Sequence, residues 1–268
     1  VNADGEINIS DIVIIVSVIL ETFDECQEFY SPCNFDLTQC CLDTTSHIFA
    51  WETDTLGQVV SNIFDVEIIS ENAIWMVGDF HIDDISHNAA IWDGNDWEYI
   101  RITVPPYHLF SPFRAIQIFD ENDIWVCANV PLYWDGITWE SAYYMDQGWE
   151  DGWDYDGYIN AVWGTSSSNI YFVGDNGSIA HYDGEYFTLM DSPTDIRLLD
   201  IYGTDNEHIW VTGHETDNTE SVLLFYDGSN WQQYHYYHWL YGNEGESNLQ
   251  GSVRTVWAWE DWIYMAGA

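Results

Sequence analysis

A five-fold recurrence constrains this chain more than any other feature. Ile124-Trp125-Val126-Cys127-Ala128 is followed by Tyr133-Trp134-Asp135-Gly136-Ile137-Thr138-Trp139. Copies begin at Ile74, Ile170 and Ile209, and Ile263-Tyr264-Met265-Ala266-Gly267 repeats only the first half. The steps between lead isoleucines are 50, 46, 39 and 54 residues. Self-similarity at that period, written in aromatic and β-branched residues, predicts an all-β chain folded as a five-bladed β-propeller.

The third repeat predicts four strands: Ile159 to Trp163, Asn169 to Val173, Ser178 to Tyr182 and Tyr186 to Leu189. Between the last two, Asp183-Gly184 signals a hairpin with a primed turn, because Gly accepts positive φ and Asp bonds its own backbone. A lone four-stranded sheet leaves both faces wet, whereas stacking such sheets around an axis buries the Trp and Tyr faces between neighbours. Most of the 16 Trp and 18 Tyr are therefore expected to be structural. The fifth repeat supplies Val253 to Trp259 and Trp262 to Ala266. Phe49-Ala50-Trp51-Glu52-Thr53 matches the fourth strand of other repeats yet precedes the first one, so residues 47–57 are expected to close the last blade. Its third strand then comes from chain beyond Ala268 or from a neighbouring subunit by strand addition.

The first 46 residues differ in character. Asn2, Asp4, Gly5, the Glu6 carbonyl and Asp11 fall in the register of a calcium loop whose first ligand would precede Val1. An apolar helix follows, Ile9 to Leu20, in which Ile12, Ile15, Val16 and Ile19 need a covering surface. It is too short and too closely flanked by acids to span a bilayer, so no membrane insertion is expected. Cys26, Cys33, Cys40 and Cys41 crowd the segment 24–46. Two disulfides in an oxidising setting are expected, with a zinc site as the alternative. Cys127, inside a blade strand, reads as a buried free thiol.

Residues 1–23 resemble one repeat of a type I dockerin, which implies calcium as cofactor and a cohesin-like receptor as partner. Residues 47–268 look like a family of secreted bacterial proteins built on Ile-Trp-x-Val-Gly and Trp-Asp-Gly-x-x-Trp repeats. That resemblance implies an extracellular or cell-surface propeller.

Charge bears on partners. With 46 acidic residues, four Arg and no Lys, the formal charge is −42. Such a surface repels phosphate backbones and anionic headgroups, so no nucleic-acid partner is expected, while cations and high salt suit it. Three arginines, Arg114, Arg197 and Arg254, precede first strands and are expected at one mouth of the central channel, gripping a carboxylate or pairing with acids. Asp151, Asp154 and Asp156 form a second candidate calcium cluster, and Tyr237 and Trp239 sit in an aromatic run suited to sugar rings. No nucleophile elbow, zinc-protease motif or phosphate loop is present. The expected function is a non-catalytic extracellular structural subunit that self-assembles, as a homo-oligomer or a surface filament, through the N-terminal segment and the unfinished last blade. The alternatives are a cohesin-docked propeller binding polysaccharide or protein, and a glycosidase.

Overall fold

The computed structural model describes residues 55–103, 110–141, 157–215, 221–234, 253–259 and 262–267. The chain divides into two compact units, Val1–Asn62 and Ile63–Ala268. The calcium-loop residues Asn2, Asp4, Glu6 and Asp11, the helix with Ile12, Ile15, Val16 and Ile19, and Cys26, Cys33, Cys40 and Cys41 lie outside the described residues. So do Asp151, Asp154, Asp156, Tyr237 and Trp239, and residues 47–54 of the expected closing strand. Thr55–Gly57, its expected end, are not in a strand.

Five antiparallel sheets follow in chain order. The first four are β1–β4 (Asn62–Ser70, Ala73–Ile82, Ile85–Trp92, Trp97–Ile100), β5–β8 (Ala115–Asp120, Asp123–Cys127, Pro131–Trp134, Trp139–Ser141), β9–β12 (Ile159–Ser166, Asn169–Gly174, Ile179–Tyr182, Phe187–Leu189) and β13–β16 (Leu198–Asp205, His208–His214, Ser221–Tyr226, Trp231–Tyr234). In each, spatial order follows sequence order. The fifth pairs β17 (Val253–Trp259) with β18 (Trp262–Gly267) and has two strands among the described residues. The first strands β1, β5, β9, β13 and β17 all line one cavity, so the sheets surround a common centre in a propeller-like arrangement.

Period-two alternation explains why the middle of the second strands β6 and β10 is apolar. In β6, Ile124 and Val126 pack with Val77, Ala89 and Phe113 on the side of the first sheet. Trp125 and Cys127, between them in sequence, pack with Phe172, Tyr182 and Phe187 of the third sheet. In β10, Phe172 joins Trp125 while Tyr171 and Val173 join Ile201 and Val211 of the fourth sheet. β6 and β10 are thus partitions between two cores, with apolar central residues on both faces. Trp125, 1 % exposed, lies 4.9 to 6.3 Å from the rings of Tyr133, Phe172, Tyr182 and Phe187.

The aromatic-Asp-Gly phrase proves to be a clamp at each outer hairpin. Trp92 faces Trp97 at 5.5 Å, Trp134 faces Trp139 at 5.4 Å, Tyr182 stacks on Phe187 at 4.4 Å and Tyr226 faces Trp231 at 4.9 Å. The enclosed loops have four residues, because Tyr182 pairs directly with Phe187. The fourth strand thus begins at Phe187, one residue after the expected Tyr186. Asp183 Oδ1 accepts the N–H groups of Glu185 and Tyr186, an Asx turn that satisfies two donors the strands cannot reach. Gly184 has φ +96°, and a Cβ there would meet Ser168 at 2.7 Å.

Candidate functional site in the central cavity

Strand register places equivalent residues from the five sheets around the cavity. Ile116, Val162, Ile201 and Val256 face Val126, Phe172, Val211 and Met265 on their second strands and are therefore equivalent. One residue earlier come Ala115, Ala161, Asp200 and Thr255. Asp65, nine residues before Ile74, occupies the same level as Asp200, nine before Ile209.

These two aspartates make the same bonds. Asp65 Oδ1 accepts the N–H of Val66 at 2.8 Å and its Oδ2 the N–H of Ile116, on the next sheet, at 2.9 Å. Asp200 Oδ1 accepts the N–H of Ile201 at 2.9 Å, and its Oδ2 accepts the N–H of Val256 at 2.8 Å and the Thr255 hydroxyl. Each carboxylate staples one first strand to the next. Gln117 does the same with a neutral amide, its Oε1 accepting the Gly164 N–H at 3.3 Å. Burial pushes the Asp65 carboxyl up to about 7 against the pull of its two backbone bonds. Solvent in the cavity still reaches it. Burial also raises Asp200, despite its three bonds, and takes Glu67 to about 7. No group of three or more metal-ligating side chains occurs among the described residues.

At the mouth, Arg114 donates through one terminal nitrogen to Asn160 Oδ1 at 2.8 Å and lies over the Tyr158 ring at 4.1 Å. Arg197 donates to the same Asn160 oxygen at 3.2 Å and through Nε to Asp175 Oδ1 at 2.9 Å. Asn160 in turn donates Nδ2 to Asp175 at 2.9 Å and to the Leu198 carbonyl at 2.8 Å. Burial works to raise Asp175, but the Asn160 amide, the Tyr158 N–H and the Arg197 charge together hold it below the usual carboxylate value. Burial, then the charge of Arg197, lowers Arg114.

The three arginines, expected either to grip a carboxylate together or to pair with acids, divide between two places. Arg114 and Arg254 line the cavity, whereas Arg197 does not; it stands behind Asn160 and braces Asp175. Their positions on the strands also differ. Arg254 is the extra residue of an irregularity between Val253 and Thr255, while Arg197 precedes a similar irregularity between Leu198 and Asp200. The residues missed in the sequence are Asp65, Glu67, Asn160 and Asp200. The available signal was a carboxylate directly before a β-branched residue in an otherwise apolar first strand, as in Asp65-Val66 and Asp200-Ile201.

No protein-family model matches the chain, and no curated protein matches it. Among solved structures it is similar to YCF48 bound to D1 peptide, at TM-score 0.49 and 12 % identity over 75 % of this chain and 59 % of that one. It is also similar to YCF48 from Cyanidioschyzon merolae, at TM-score 0.48 and 13 % identity over 79 % and 66 %. A glycoside hydrolase follows at TM-score 0.37 and 10 % identity over 62 % and 44 %. The chain thus spans less than two thirds of each of these proteins. The all-β, propeller-like class stands on the sheets themselves.

Proposed function

We propose that this protein is a non-catalytic extracellular structural subunit, a propeller-like ring that self-assembles through its N-terminal segment and its last sheet, with calcium holding the N-terminal loop. The observation that carries the non-catalytic part is the use made of Asp65 and Asp200. Both oxygens of each accept backbone N–H bonds, one of them across a joint between sheets. A general acid or base has to present its proton site to a substrate, and these carboxylates are committed to holding strands together. A retaining or inverting glycosidase needs two such acids at its reacting bond. The assembly part is supported by sequence. Residues 9–20, apolar and flanked by acids, read as a helix that needs a covering surface.

Sedimentation velocity of the full chain over a range of concentrations, with calcium and with chelator, tests this reading. Calcium-dependent assembly that is lost in Ile12→Asp and Ile15→Asp supports it. A monomer at every concentration, or turnover of a glycoside panel, removes it. A second reading, a cohesin-docked module that binds polysaccharide or protein, is favoured by the polar central cavity of about 480 Å³. Binding of a cohesin-like domain to residues 1–23 would support it.

A further inference from the structure

Arg114 is held in an unusual way for a chain with 46 acidic residues and four arginines. Arg197 has its carboxylate in Asp175. Arg114 has none among the described residues. Its contacts are the Asn160 amide oxygen, which it shares with Arg197, and the ring faces of Tyr158 at 4.1 Å and Phe64 at 5.9 Å. Two aromatic faces and a neutral amide fix the plane of the guanidinium without cancelling its charge. Arg114 is among the residues that line a cavity of about 480 Å³, inside the range of roughly 300–1,000 Å³ usual for small-molecule sites. A half-buried, pre-oriented guanidinium with no ion pair of its own among the described residues, the Asp175 charge reaching it only from behind Asn160, is built to take a carboxylate in a two-pronged bond.

The deeper wall restricts what the rest of that ligand can be. Three residues further along the strands, ~10 Å at the usual rise, the wall carries Glu67, whose carboxylate has no hydrogen-bond partner among the described residues. Asp200 lies between the two levels. An apolar tail would leave the Glu67 oxygens unsatisfied, so the far end of the ligand has to bring hydrogen-bond donors. The repulsion of the −42 surface does not forbid this, because exposed charges beyond ~8 Å are screened at physiological salt while the guanidinium contact is direct.

We infer that the cavity binds a small carboxylate ligand whose other end carries hydroxyl or ammonium donors, the chemistry shared by a uronic acid and a zwitterionic amino acid, with Arg114 holding the carboxylate. This inference is independent of whether the ring assembles. Calorimetric titration of the full chain with glucuronate, galacturonate, lysine, and the methyl ester of each tests it. At least one free acid should bind saturably, with its ester weaker by about tenfold or more. Arg114→Gln should lose a similar factor, and Arg114→Lys, which keeps the charge without the fork, should fall between. Glu67→Gln separates the sources: it weakens an ammonium-bearing ligand and leaves a uronate within about twofold. Equal affinity of acid and ester overturns the inference, as does unchanged affinity in Arg114→Gln or no saturable binding of any probe up to ~10 mM. The ester comparison uses the unmodified protein, so the test survives if a variant does not fold.

Discussion

Two sets of aspartates in this molecule make nearly the same bonds and respond in opposite ways. At the rim, Asp93, Asp135, Asp183 and Asp227 each accept two backbone N–H bonds from the residues that follow. Those bonds hold all four carboxyls below the usual aspartate value. In the cavity, Asp65 and Asp200 accept equivalent bonds, yet burial outweighs them and both are raised. The hydrogen bond stabilises the anion in both places. What differs is the water lost around it, and that loss decides the sign.

The largest effect expected from this contrast follows removal of a cavity staple. Asp200→Ala leaves the N–H groups of Ile201 and Val256 without their acceptor and loosens the joint between the fourth and fifth sheets. A loss of about 2–5 kcal/mol is expected, read from the midpoint of chemical unfolding. An unchanged midpoint would mean the staple is incidental.

Next in size is the pH dependence. Asp65 goes from 3.8 to about 7 on folding and Glu67 from 4.5 to about 7, so the folded protein holds these protons more tightly. Their contribution is fully present below pH 4 and is lost as pH rises through 7. The rim aspartates act oppositely: their contribution is present above about pH 4 and is lost as pH falls below it. Thermal unfolding temperature should therefore peak in mild acid. Glu67→Gln should flatten its decline between pH 5 and 7, by about 1–3 kcal/mol given partial access of solvent. A stability maximum above pH 7 would break the contrast.

A smaller effect belongs to the rim backbone. Gly184→Ala puts a Cβ at φ +96° and against Ser168, and should cost about 1–2 kcal/mol by the same unfolding measurement. Asp183→Ala should cost less than either cavity substitution, because water replaces the lost acceptor there. If Asp183→Ala proved as damaging as Asp200→Ala, solvent access would not be what separates the two sets.

The repeat was legible because its physics is local. An apolar strand of five, a turn and an aromatic pair around Asp-Gly identify each of the first four sheets without reference to the others, and Trp134 and Trp139 or Tyr226 and Trp231 meet as the spacing implies. Cys127 is the buried free thiol that its place in β6 suggested. The cavity was not legible in the same way. Asp65 and Ile116 are 51 residues apart, and Arg114 reaches Asn160 46 residues on. Their meeting depends on how one sheet is set against the next, which no single repeat encodes. Arg197 pairs with an acid, one of the two expected outcomes, but its distance from Arg254 has a related cause: three arginines share a place in the sequence, while irregular pairing near β13 and β17 gives them different places on the strands.

The burial of Cys127 reaches beyond packing. It is fully enclosed, and that enclosure, aided by the charge of Asp65, drives its thiol well above the ordinary cysteine value. Only the thiolate attacks a disulfide, so Cys127 is withdrawn from thiol–disulfide exchange for as long as β6 stays packed. A thiol reagent that labels it therefore reports the opening of that core rather than the reactivity of a surface group.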